Sequence, residues 1–332
     1  MGKKTILSGI QPSGSLCIGN YLGALKNWNT LQHDYNSIFL VVDLHALTTK
    51  QVPSELRKRC LSFTAQYIAC GINPDISKIV IQSHVPAHVE LMWILSTLCY
   101  TGEINRMTQF KDKSSKSKNI NVGLLTYPIL MASDILLYQA DLVPVGADQK
   151  QHLELARDLA KRFNFQYSDT FKIPEPYISK SGSRIMSLQN VDKKMSKSDE
   201  NLNNIISLLD SPKSIIKKIN SAVTDSEKEV TYSKDKKPGI SNLIDIYSLL
   251  TNKTINQIVD LYQGKLYSHF KNDLSNLIIE ELNPIKQKYK ELITDEAYIS
   301  KILNEGSEYA FYNARKTLSK VYRKVGLINK NI

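Results

Sequence analysis

The chain has 332 residues with 43 Lys+Arg against 32 Asp+Glu, a formal net charge of +11, and 42% hydrophobic and 23% charged residues. That balance excludes collagen-like, low-complexity and disulfide-scaffold proteins, and leaves a globular chain of one large domain or two. The positive excess points to an anionic partner, nucleic acid first and a nucleotide or acidic surface second.

In chain order, short β-branched runs alternate with amphipathic stretches. Thr5-Ile6-Leu7, ended by Ser8-Gly9, then Ile38 to Val42, Ile79-Val80-Ile81 and Leu142-Val143-Pro144-Val145 read as strands. Helical patterns lie between them near Tyr21–Trp28, Ser54–Ala69, Val89–Cys99 and Gly123–Tyr138. Continuous apolar strands separated by helices predict an α/β fold with a parallel sheet. After about Glu200 the helical period takes over, as in Leu243, Ile244, Ile246, Tyr247 and Leu250, with breaks at Pro238-Gly239 and Asn283-Pro284. This predicts four or five C-terminal helices. The expected division is an α/β domain over 1–202, with a helical connective segment near 100–140, and a helical domain over 203–332.

Leu124 to Val145 is the longest apolar stretch, but it holds Pro128, Asp134 and Asp141. Each Asp at a bilayer centre would cost roughly 2.5–3.5 kcal/mol, so no membrane span is expected. Met1-Gly2-Lys3-Lys4 leads straight into a strand-like run, and Leu7 stands where a myristoylation signal has Ser or Thr. The expectation is therefore a cytoplasmic protein. Cys17, Cys60, Cys70 and Cys99 form no C-x-x-C pair; reduced thiols are expected rather than a metal or disulfide framework. His84-x-x-x-His88 has ligand-like spacing, but Pro86 interrupts one continuous helix, so no metal site is assigned.

Four segments carry chemistry. Ile6 to Tyr21 is a strand, a loop rich in small residues, and a helix starting near Gly19, an arrangement that lets a phosphate approach the backbone. Lys193-Lys194-Met195-Ser196-Lys197-Ser198-Asp199 is either an exposed basic loop or a mobile anion clamp of two lysines three apart. Tyr127 to Tyr138 puts Asp134 on an apolar helix, where a buried carboxylate needs a donor: a backbone amide, a lysine, or a ligand N–H. Val143 to His152 reads as a strand end, a turn at Gly146, and a helix capped near Asp148. Two basic stretches add to these. Arg106, Lys111, Lys113, Lys116 and Lys118 form a surface loop or an anion-binding lid. Arg315, Lys316, Lys320, Arg323, Lys324 and Lys330 form a solvated terminal helix or one facing a nucleic acid.

Cys17-Ile18-Gly19-Asn20 with Lys194-Met195-Ser196-Lys197-Ser198 resembles the paired H-I-G-H and K-M-S-K-S signatures of class I aminoacyl-tRNA synthetases. The segments 9–14, 106–111, 134–138, 222–226 and 237–243 are similar to the bacterial tryptophanyl-tRNA synthetase family, and the resemblance spans nearly the whole chain. It implies a Rossmann-like catalytic domain, a helical tRNA-binding domain, a homodimer, and the substrates L-tryptophan, ATP with its Mg²⁺, and tRNA-Trp. By this resemblance Lys113, Lys194 and Lys197 are catalytic. ATP is met by Gln11, Pro12, Ser13, Gly19, Asn20, Gly146, Ala147, Asp148, Ile185, Lys194, Met195, Ser196, Lys197 and Ser198. Tryptophan is met by Asp134 at the indole N–H, Tyr127 and Gln149 at the amino group, and Met131, Val143, Val145, His45, Leu7 and Gly9 around the ring. No protein-bound metal is implied. Three positions depart from the family: Cys17 for His or Thr, Ala147 for Glu, and Leu44 for Gln. Tyrosyl-tRNA synthetase is the nearest alternative, and a catalytically weak nucleic-acid-binding homologue the next.

Overall fold

The computed structural model describes residues 2–114, 120–146, 149–178 and 184–328; the side chains of 112–114 lie outside that description. Five parallel strands are present among the described residues: β1 (Thr5–Ile10), β2 (Asn36–Val41), β3 (Ser77–Ile81), β4 (Leu142–Pro144) and β5 (Glu175–Tyr177). Their order in the sheet is β3-β2-β1-β4-β5. The chain leaves β1 toward one side and crosses to β4 on the other, so the crevice at the carboxyl ends of β1 and β4 is the topological switch point.

The helices of the first part are α1 (Ile18–Asn20), α2 (Lys26–Asp34), α3 (Asp43–Ala46), α4 (Pro53–Ala69), α5 (Ala87–Ser96), α6 (Thr101–Asn105), α7 (Thr108–Ser114), α8 (Val122–Leu137) and α9 (Lys150–Gln166). A π-helical turn, Tyr21–Leu25, joins α1 to α2. The C-terminal helices are α10 (Pro212–Asn220), α11 (Pro238–Thr251), α12 (Ile255–Leu261), α13 (Tyr267–Thr294) and α14 (Glu296–Val325). No described helix is long and apolar enough to cross a membrane.

Strand side chains alternate between two apolar clusters. Phe39, Val41, Ile79 and Ile81 join one, while Ile38, Leu40, Val80 and Val143 join the other. Burial on both faces is what makes these strands read as unbroken apolar runs. The first cluster also takes in Ile240 and Ile244 of α11 and Phe270 and Leu274 of α13; the second holds Leu91 of α5, Ile135 of α8 and Leu159 of α9. Helix α14 comes back to the sheet, and its Ala310, Ala314 and Leu318 enter the second cluster. It lies against β3, an edge strand, so closely that a Cβ on Gly306 would stand 2.0 Å from the Ile79 carbonyl oxygen. A helix laid on the edge covers it against pairing with another chain.

Two strand assignments need correction. β1 does not stop at Ser8-Gly9 but continues to Ile10. A Cβ on Gly9 would come within 3.1 Å of Leu40 and 3.0 Å of Val42, so this glycine serves close strand packing rather than a turn. β5 has no counterpart in the predicted strands. It is three residues long with Pro176 at its centre, and an edge position tolerates the missing N–H.

Candidate active site

The loop after β1 forms the floor of the crevice. Ser13 N–H donates to the Gln11 carbonyl (2.8 Å), closing a tight turn with Pro12 buried inside it. Gly14 follows with φ +62°, in the left-handed region that suits glycine. Cys17 is the N-cap of α1, and its N–H and Sγ both approach Asn20 Oδ1 (3.1 and 3.2 Å). Cys17 is fully buried, and that burial pushes its thiol pKa up. The residue in the first signature position thus belongs to the core, and Asn20 turns its carbonyl oxygen back onto it.

The lysine-bearing segment is a hairpin docked on that loop. Ser187 N–H donates to the Lys193 carbonyl and Met195 N–H to the Ile185 carbonyl (2.8 and 3.0 Å). Ile185 and Met195 are buried in the first cluster. Ser15 N–H donates to the Lys197 carbonyl (3.2 Å), and a Cβ on Gly14 would sit 1.8 Å from that same oxygen. Lys197 Nζ donates to the Gln11 carbonyl and lies 5.4 Å from the Phe63 ring centroid. Burial pulls the pKa of this amine down to about 7. Lys194 is exposed on the same hairpin, and the Ser196 and Ser198 hydroxyls are 3.1 Å apart. Behind the hairpin, the Asn242 side chain of α11 pairs with both backbone groups of Met186: Oδ1 accepts from N–H (2.8 Å) and Nδ2 donates to the carbonyl (2.9 Å).

The second wall is α8. Its N-cap is Asn121, whose Oδ1 accepts from Leu124 N–H (2.8 Å). Tyr127, Met131 and Asp134 are spaced four and three residues apart and therefore share a face. Asp134 is 3% exposed. Its Oδ1 meets His88 Nδ1 (2.6 Å) and Gln82 Nε2 (2.7 Å), and its Oδ2 meets His45 Nε2 (2.9 Å). Burial alone would raise the carboxyl pKa; the bonds from His45 and His88 overcome it and bring the value down to about 2. Asp134 is thus an ionised acceptor throughout the neutral range. Among the described residues its donors are neither a backbone amide nor a lysine.

His45 stands between the two walls. Its ring meets Asp134, and its carbonyl accepts from Gln11 Nε2 (2.9 Å). Lys197, Gln11, His45 and Asp134 are therefore joined in one hydrogen-bonded series that runs from the lysine hairpin to the buried carboxylate. Tyr127 belongs to a second series: its hydroxyl donates to Gln109 Oε1 (3.2 Å) and meets His152 Nε2 (3.0 Å), while His152 Nδ1 meets Gln149 Oε1 (2.9 Å). Leu7 and Val143 are buried in the second cluster, with Met131 and Val145 partly buried against it. Gly146 is exposed just beyond β4. Ala147 and Asp148 fall outside the described residues, and so does the side chain of Lys113, which lies in α7. Among the described residues no group of three or more His, Cys, Asp or Glu could hold a metal ion.

Sequence reading did not single out Gln82, His152 and Asn242 for these contacts, and it weighed His88 only as a metal ligand. The usable signal was at His88, set among Ala87, Val89 and Leu91 and hence expected to be buried with a polar partner.

Comparison with known proteins agrees with this fold. A family model described as tRNA synthetases class I (W and Y) matches residues 2–302. The tryptophan–tRNA ligase of Clostridium tetani is 57% identical over 98% of this chain and 96% of its own length. A crystal structure of tryptophanyl-tRNA synthetase from Mycoplasma pneumoniae superposes with TM-score 0.91 at 35% identity, covering 98% of this chain and 99% of that one. The Campylobacter jejuni enzyme, solved with ADP and tryptophan, superposes with TM-score 0.83 at 33% identity over 97% of this chain and all of its own. The chain belongs to the class I tRNA synthetases, on the tryptophan–tRNA ligase branch.

Proposed function

We propose that this protein activates L-tryptophan with ATP and transfers it to tRNA-Trp. In the first step the tryptophan carboxylate attacks the α-phosphorus of ATP, the bond to the bridging oxygen breaks, and pyrophosphate leaves with the electron pair. In the second, the 2′-OH of the terminal adenosine attacks the acyl carbon of tryptophanyl-adenylate and AMP leaves. Displacement at phosphorus needs alignment and charge stabilisation more than a nucleophilic side chain. Lys194 and Lys197 on the hairpin, together with Lys113, follow the charge that develops on the leaving pyrophosphate. The loop 11–13, Gly19, Asn20 and 146–148 line the nucleotide, and Mg²⁺ enters with ATP as part of that substrate. Asp134 accepts the indole N–H in a slot walled by Leu7, Gly9, His45, Met131, Val143 and Val145. Tyr127 and Gln149 orient the amino group.

The observation that carries this reading is the single hydrogen-bonded series from Lys197 through Gln11 and His45 to Asp134. It links a lysine whose chemistry suits phosphate to a carboxylate whose chemistry suits an N–H, which supports assigning both to one site. Asp134 keeps its protein donors either way, so a ring N–H adds a charge-assisted bond that an amino acid lacking one forgoes, and such an amino acid is disfavoured. We further assign residues 203–332 to tRNA binding, the working unit to a homodimer, and the protein to the cytoplasm. ATP–pyrophosphate exchange across the twenty amino acids tests the reading: exchange with tryptophan supports it, whereas exchange with tyrosine or with none contradicts it.

A further inference from the structure

We propose that His88 is a positioning residue for the specificity carboxylate: with Gln82 it anchors Asp134 Oδ1, so that Oδ2 alone is presented to the indole N–H. The inference rests on the tryptophan reading above and adds to it a division of labour between the two carboxylate oxygens. Oδ1 receives two short bonds, from His88 Nδ1 (2.6 Å) and Gln82 Nε2 (2.7 Å). Two donors fill its acceptor capacity. Oδ2 receives only His45 Nε2 (2.9 Å) among the described residues, and a carboxylate oxygen with one donor can take another.

The anchoring side is built more rigidly than the reading side. His88 is 0% exposed and His45 is not fully buried. The His88 ring is held at both ends, because Tyr138 hydroxyl stands 2.8 Å from Nε2. A neutral imidazole that accepts from Tyr138 at Nε2 must carry its proton on Nδ1, facing Asp134. The His88 backbone is pinned as well: its carbonyl accepts from the hydroxyl of Ser133, the residue next to Asp134 (2.6 Å). Gln82 has no second orientation, since a flipped amide would turn Oε1 toward the carboxylate. In the orientation it holds, Oε1 is buried with no partner among the described residues. A buried acceptor left unmet is a cost, accepted here while Nε2 serves Asp134.

The test is the dependence of ATP–pyrophosphate exchange on tryptophan in four variants, with Tm as a folding control. Asparagine places its amide nitrogen near the position of Nδ1, whereas glutamine places it near Nε2. His88→Leu is expected to raise the tryptophan KM roughly 10- to 100-fold, the range for losing a hydrogen bond to a charged group. Its kcat and the KM for ATP stay within threefold of wild type, and tryptophan-over-phenylalanine selectivity falls with the KM. His88→Asn restores most of the loss and His88→Gln does not. Tyr138→Phe, which frees the tautomer, costs about threefold in tryptophan KM. An unchanged tryptophan KM and selectivity in folded His88→Leu overturns the inference and leaves His88 a structural residue. If His88→Leu does not fold, equal tryptophan KM values for the Asn and Gln variants overturn it instead. Wild-type protein that exchanges tyrosine or no amino acid overturns the functional reading and this inference together; tryptophan exchange by wild type with an unmoved His88→Leu overturns only the inference.

Discussion

Gly14→Ala tests whether the lysine hairpin must dock on the loop after β1. Gly14 has φ +62°, and an alanine Cβ would lie 1.8 Å from the Lys197 carbonyl oxygen and 2.6 Å from its carbon. These are backbone atoms, so no side-chain rotation relieves the clash. An L-residue held in the left-handed region costs about 1–2 kcal/mol. The neighbouring bond from Ser15 N–H to the Lys197 carbonyl, about 1 kcal/mol, favours the docked hairpin, and the unrelieved clash more than offsets it. At least the left-handed cost of about 1–2 kcal/mol therefore weighs against the docked hairpin, which lowers its population relative to the undocked one roughly 5- to 30-fold or more. Exchange kcat should fall by at least fivefold. Tryptophan affinity, measured by calorimetry, should stay within twofold, because the described donors to Asp134, namely His45, Gln82 and His88, lie outside the hairpin. Gly23→Ala is the control, since nothing lies within 4 Å of its added Cβ. Wild-type kcat in a folded Gly14→Ala protein would refute the docking argument.

Lys197→Met should lower exchange kcat roughly 100-fold, the order found on removing one preorganised donor to developing charge. It should also change the pH dependence of stability. The Lys197 amine sits near pKa 7 when folded against an ordinary 10.5, so between those values the unfolded chain holds a proton that the folded one lacks. Wild-type stability therefore gains a rising contribution over that window, and the difference in Tm between wild type and Lys197→Met should move in that direction from pH 6.5 to 9; a constant difference contradicts the burial of the amine. Asn242→Ala removes both partners of the Met186 backbone, and exchange kcat should fall about tenfold with tryptophan KM unchanged, from two bonds of about 1 kcal/mol each whose loss is only partly felt at the hairpin. A raised tryptophan KM with normal kcat would place Asn242 elsewhere in the account. Affinity for tRNA should fall linearly in log–log plots against salt, as basic residues release counterions from phosphates; a flat response removes the terminal basic stretch from the tRNA-binding assignment.

Most of the sheet could be read from the sequence because its central strands are buried on both faces and appear as apolar runs. The signal failed where packing replaced propensity. Ser8-Gly9 looks like a strand end, yet the glycine is needed for close approach to Leu40 and Val42. Glu175-Pro176-Tyr177 carries no apolar run and pairs only through β4. The lysine pair and Asp134 stood out by type and spacing. Their partners did not, because Asp134 is met from 89, 52 and 46 residues away by His45, Gln82 and His88. Such contacts follow from where β2, β3 and α5 deliver their ends, which no local pattern encodes. The terminal basic stretch is a similar case. Tyr322 donates to Glu90, Arg315 lies near the same carboxylate, and Lys324 donates to the Asp169 carbonyl, so part of that positive face is spent within the fold.

The most direct measurement is a crystal structure of the protein with tryptophan and a non-hydrolysable ATP analogue. The account predicts the indole nitrogen within hydrogen-bond distance of Asp134 Oδ2, Oδ1 still held by His88 and Gln82, and the amines of Lys194 and Lys197 drawn onto the β- and γ-phosphates. Lysine amines facing solvent, with the indole away from Asp134, would contradict it.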